Sequence, residues 1–202
     1  MTEEQPATPE LPEDHEADLP WPPPRIYVAS LSDYNAGILH GTWLVVDTDA
    51  DELQQRIDAM LAASPTTKRY GDLAEDWAIH DYEGWGPLHL SEFEPFDRLT
   101  TLAAGIGQHG PAFAAWVDYT GTTDDNLVEQ FEDRYQGEFD SLVDYGEQML
   151  DDSGLSLEGI ELSPESFRQY LRIDIEAFVH DLVAGGVIFT IESDRGIYVF
   201  AN

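Results

Sequence analysis

From residue 25 onward the hydrophobic and polar positions change period several times, and each change predicts an element. Residues 26–31 are branched or aromatic at most positions and predict a strand; 33–37 predict a turn or loop; 38–46 predict a second strand. Asp49 or Asp51 can cap a helix that puts Leu53, Ile57, Met60 and Leu61 on one face, with Ser64 and Pro65 closing it. Residues 77–82 predict a third strand ending at Glu83 and Gly84. A small α+β unit over 25–84 follows.

Residues 85–123 are rich in Ala, Gly and Leu and suit short helices broken at Gly105, Gly107, Gly110–Pro111 and Gly121. Two amphipathic helices are then predicted, over 124–135 and 138–151. Ser163, Pro164 and Glu165 have the order of a helix start, and that helix should run to about Val183 before Gly185 and Gly186 stop it. Residues 187–191 and 197–200 predict a terminal hairpin. The sequence thus divides into an α+β segment (25–84), a helical middle (85–123) and a second α+β segment (124–202). Residues 1–24 differ from all three. They hold seven prolines and seven acids with no Lys or Arg, and predict a disordered acidic leader.

The chain of 202 residues carries 41 acids against nine basic side chains, a formal charge of −32. Nucleic-acid backbones and anionic lipid surfaces should repel it, and only Lys68 and Arg69 are adjacent bases, so no nucleic-acid or membrane partner is expected. The absence of cysteine removes disulfides and thiolate chemistry. MTEEQPATPE at the start has neither a basic nor an apolar signal region, and no apolar run approaches the ~20 residues of a membrane span, so a soluble cytoplasmic protein is expected.

Candidate chemistry is sparse. Asp47, Asp49, Asp51 and Asp58 resemble a calcium loop, but Glu52 stands where the turn needs Gly, and helix capping explains the same acids. His80 and Asp81 would point to opposite faces of a strand. No nucleophile elbow, phosphate loop or metal-spaced histidine pair is present, so no catalytic residue, cofactor or metal is expected. Forty-one acids guarantee accidental carboxylate pairs, which leaves a carboxylate-based enzyme or metal-binding protein as the alternative.

The distribution of the acids says more. Between Asp118 and Glu165 there are fifteen acids and one base, Arg134. The predicted helix 138–151 puts Asp140, Asp144, Glu147 and Asp151 in one stripe, opposite Leu142, Tyr145, Met149 and Leu150. The helix over 124–135 sets Asp125, Glu129, Glu132 and Asp133 opposite Leu127, Phe131 and Tyr135. Asp118, Asp124, Glu138 and Asp152 complete the set. An ordinary surface helix would intersperse Lys to relieve repulsion. A stripe at ~5.5 Å per charge is comparable to the ~3.4 Å per phosphate of a DNA strand. A solvated acidic face or halophilic adaptation would produce the same pattern.

Three stretches carry a family resemblance. RIYVASLSDYNAGILHGTW at 25–43 resembles the opening of the ArdA-type antirestriction proteins. EDWAIHDYEG at 75–84 is similar to that family's most recognisable internal motif, and 170–200 resembles its C-terminus. The resemblance implies an elongated chain of three small domains that mimics bent B-form DNA. Such a chain would occupy the DNA groove of a type I restriction–modification enzyme (methyltransferase core with specificity subunit), blocking restriction and often modification. It also implies a homodimer formed through the last domain. The family's antirestriction motif corresponds to about residues 140–154, which makes Tyr145, Met149 and Leu150 interface candidates. Trp43, Trp77, Tyr82 and Gly84 are expected to be core and turn determinants of the first domain.

Overall fold

The first strand, β1 (Arg25–Ser30), is the centre of a three-stranded antiparallel sheet. On one side it pairs with β2 (Gly41–Val45), Ile26 opposite Leu44; on the other with β3 (Trp77–Glu83), through a register shift between Tyr27 and Val28. The computed structural model describes residues 21–47, 49–71, 73–124, 126–154, 157 and 164–202, so the expected leader lies outside the described residues up to position 20. Residues 21–24, assigned to that leader by composition, lie against the folded body. Pro24 is buried, and its carbonyl accepts from the Val46 N–H at 2.9 Å.

Where a strand was expected to end at Leu31 and a turn to follow over 33–37, the chain forms a short helix, α1 (Leu31–Asn35), capped by Ser30. α2 (Ala50–Ala62) starts where the sequence places it. Asp49 caps it by accepting from the N–H groups of Asp51 and Glu52, and Leu53, Ile57, Met60 and Leu61 are all buried. Ser64 and Pro65 end that helix and also begin the next, α3 (Pro65–Tyr70), because Ser64 caps it and Pro65 fits its first turn.

α4 (Phe96–His109) runs through Gly105 and Gly107, where breaks were expected. Gly105 is needed for packing: a Cβ there would lie 2.3 Å from the Phe113 ring. The break falls at Gly110, with φ +63°, followed by α5 (Pro111–Thr120) and its left-handed cap Gly121. Trp85, Leu99, Leu102, Phe113 and Trp116 form the buried body of this region.

α6 (Leu127–Arg134) is shorter than expected, and the chain then enters a strand, β4 (Tyr135–Phe139), in place of helix. The reason is non-local. β4 pairs with β6 (Ile197–Ala201), which also pairs with β5 (Ile188–Glu192), in a second antiparallel sheet of order β4-β6-β5. α7 (Leu142–Ser153) therefore begins four residues later than expected. The helix expected over 163–183 is two pieces: a 3-10 turn at Glu165–Tyr170, then α8 (Ile175–Ala184), capped by Asp174. The hairpin of β5 and β6 is as predicted.

Among the described residues the architecture is thus mixed α+β, with eight α-helices and two small antiparallel sheets. The chain divides into two compact units, one ending at Val128 and one from Glu129 to Asn202. In the second unit the period-2 alternation of β6 gives each sheet face its own partner. Ile197 and Val199 join the cluster of Tyr145, Val179 and Ile188 from α7, α8 and β5. Phe200 faces the other way, against Phe131 of α6, Tyr135 and Phe189 at ring separations of 5.2–5.8 Å.

Candidate functional site

The acidic face of α7 follows from how the helix is seated. Ser141 caps it, accepting from the Asp144 N–H at 3.2 Å, while its hydroxyl donates back to the Asp144 carboxylate. Leu142 and Tyr145 turn into the core, and Gly146 lets α8 approach: a Cβ there would meet Val179 at 2.4 Å. With that side packed, Asp144, Glu147, Asp151 and Asp152 are left exposed, and no basic residue occurs in the helix. Asp140 is exposed as well but precedes the helix, so it does not extend the stripe by helical geometry.

On α6, burial of Phe131 leaves Glu129, Glu132 and Asp133 exposed. Asp118 on α5 and Asp124 beyond it are exposed and belong to the first unit; the Thr122 hydroxyl donates to Asp124 at 3.3 Å. Asp125 lies outside the described residues. Glu138 differs from the rest. It sits on β4, only partly exposed, accepts from the Ser193 hydroxyl at 2.8 Å and pairs with Arg195. The Ser193 hydrogen bond, acting against burial and helped by Arg195, holds its carboxyl below the usual range. Its charge is balanced within the chain. Exposed acids on α8, Glu176 and Asp181, were outside the sequence-derived set although their charge was plain to see.

Tyr145 is 7% exposed inside the core of its own unit, whereas Met149 is 41% exposed and Leu150 half-buried. In the first unit Trp43, Trp77 and Tyr82 are half-buried, and Gly84 has a positive φ of 80°. The calcium-like acids have other roles: Asp49 caps α2, Asp47 pairs with Arg56 at 2.9 Å, and Asp58 accepts from Gln54 at 2.7 Å. His80 packs edge-on against Tyr34 at 4.8 Å.

One buried acid lies apart from these surfaces. Asp33 of α1 is fully buried, and its Oδ1 accepts from the Thr66 N–H of α3 at 2.8 Å. Burial opposes its ionisation, but hydrogen bonding by Ser64, Ser30 and Thr66 outweighs that and holds the carboxyl well below the usual carboxylate range. It ties α1 to α3 as a structural anchor.

Two small sheets carry helices that turn carboxylates outward, and no helix among the described residues is long and apolar enough to cross a membrane. These features define a class of strongly acidic α+β proteins whose helices expose their charged faces. The model of the antirestriction protein (ArdA) family matches residues 26–195, and the chain belongs to that family. The family is one of antirestriction proteins, which implies an action on restriction–modification enzymes. Among curated proteins none matches the chain.

Proposed function

We propose that this protein inhibits type I restriction–modification enzymes by presenting its carboxylates as a substitute for DNA phosphates. On this reading it occupies the DNA groove formed by the methyltransferase core and specificity subunit, blocking restriction and, through the same groove, modification. It acts in the cytoplasm as a homodimer. The observation that carries the reading is α7, with four exposed carboxylates and no cation along twelve residues. From Asp144 to Asp151 the helix rises ~10.5 Å, so Asp144, Glu147 and Asp151 stand ~5 Å apart along the axis, comparable to but wider than the ~3.4 Å per phosphate of a DNA strand. Asp118, Asp124, Glu129, Glu132, Asp133 and Asp140 add exposed charge, and of the three interface candidates Tyr145, Met149 and Leu150 it is Met149 that is most exposed to a second copy. The test is displacement of labelled DNA from a purified type I methyltransferase. Stoichiometric release that weakens steeply with salt supports the reading; unchanged DNA binding at low salt, across several type I enzymes, refutes it.

A further inference from the structure

The first unit holds a cavity of about 340 Å³ lined by Leu31, Glu75, Asp76, Trp77 and Phe93. That is near the lower limit of small-ligand pockets and ample for one inserted side chain. Glu75, Asp76 and Trp77 open the motif EDWAIHDYEG, in which the aromatic residues were expected to serve the core. Trp77 is only half-buried, and Phe93 is 62% exposed.

The walls are held by the fold. Trp77 starts β3 and stacks on Phe96 of α4, with ring planes 7° apart at 5.3 Å. The Asp76 carbonyl accepts from the Leu31 N–H at 3.0 Å, which fixes the strand start against α1. The Ile79 N–H donates to the Glu92 carbonyl at 2.9 Å, and Glu94 caps the Ser91 N–H at 2.9 Å, so the turn carrying Phe93 is pinned beside β3. Neither the Glu75 nor the Asp76 carboxylate has an ion pair among the described residues, although Arg25, Arg56, Arg98 and Arg195 are all engaged elsewhere. A preformed aromatic pocket is thus rimmed by two unneutralised carboxylates.

We propose that this pocket receives an arginine side chain of the restriction–modification enzyme; the identity of that partner rests on the function proposed above. A planar guanidinium can lie on an aromatic face while its N–H groups fork onto carboxylates, which a lysine ammonium does less well. A phosphate-binding surface is rich in such arginines. The pocket adds a directional contact to an otherwise diffuse charge match.

The test uses the full-length protein and three capped tripeptides, Gly-Arg-Gly, Gly-Lys-Gly and Gly-citrulline-Gly, followed by NMR at the Trp77 indole and Phe93 ring. The arginine peptide should give saturable shifts confined to these groups, the citrulline peptide should bind at least tenfold more weakly, and lysine should fall between. Phe93→Ala, at an exposed position, should abolish the Trp77 shift and weaken DNA displacement at least fivefold without changing the melting temperature; Glu75→Gln should act in the same direction. Equal binding of citrulline, shifts spread over α6 and α7, or normal displacement by both variants would overturn the proposal. If the wild type displaces no DNA while the arginine shifts stay localised, the pocket chemistry stands and the enzyme is refuted as the source of the arginine.

Discussion

Neutralising Glu147, Asp151 and Asp152 together separates inhibition from stability. All three are exposed on α7, and the last two lie in its final turn, where they face the negative end of the helix dipole. Asp144 is left unchanged because it shares the Ser141 cap. Exposed ion pairs contribute about 0.2–1 kcal/mol each, so a single Glu147→Gln should cost between about 1.4-fold and fivefold in affinity. The triple change should cost about 0.6–3 kcal/mol, roughly threefold to 150-fold. If the stripe acts as a phosphate row, the slope of log affinity against log salt should also shrink by up to about 0.9 per removed charge. The folded state moves the other way: relief of repulsion and of the dipole conflict contributes a few tenths of a kcal/mol, and the variant should melt at or above the wild-type temperature. DNA displacement from a type I methyltransferase across a salt series, beside a thermal melt, reads both effects. The reasoning is refuted if the triple variant keeps its affinity and salt slope, or if one substitution alone abolishes inhibition in a folded protein.

Glu138→Gln should leave the salt slope of displacement unchanged, because Ser193 and Arg195 already occupy that carboxylate; a loss as large as that from α7 would contradict this. Asp33→Ala should destabilise by about 3 kcal/mol in urea melts, since the buried Thr66 N–H and the surrounding hydroxyls lose their acceptor. The carboxyl is depressed on folding, so its stabilisation is complete above the ordinary carboxylate value and disappears as pH falls through the lower folded value. Wild-type stability should therefore drop in acid more steeply than that of Asp33→Asn. Gly105→Ala should cost about 1–3 kcal/mol against the Phe113 ring, whereas Gly107→Ala, which meets nothing within 4 Å, should stabilise α4 by up to about 1 kcal/mol in the same melts.

The sequence alone determined the elements that depend on neighbours in the chain. The four-residue spacing of Leu53, Ile57 and Leu61 behind the Asp49 cap specifies α2, and the alternation in 187–200 specifies the terminal hairpin. Net charge is legible without any fold, and so is the family, whose motifs are contiguous strings. Tertiary structure decided whatever depends on a distant partner. β4 is a strand because β6 offers it an edge some sixty positions away, and that pairing leaves Asp140 outside the helix of the stripe. Gly105 is a packing glycine inside α4 and not a break, because the Phe113 ring occupies the space a side chain would need. Asp33 is a buried anchor instead of a turn residue because Thr66 of α3 meets it across 33 positions. Trp77 lines a pocket because Leu31 and Phe93 are folded in beside it. Local periodicity encodes which face of an element is apolar; what covers that face, and which charges stay uncovered, is set by contacts between residues far apart in the chain.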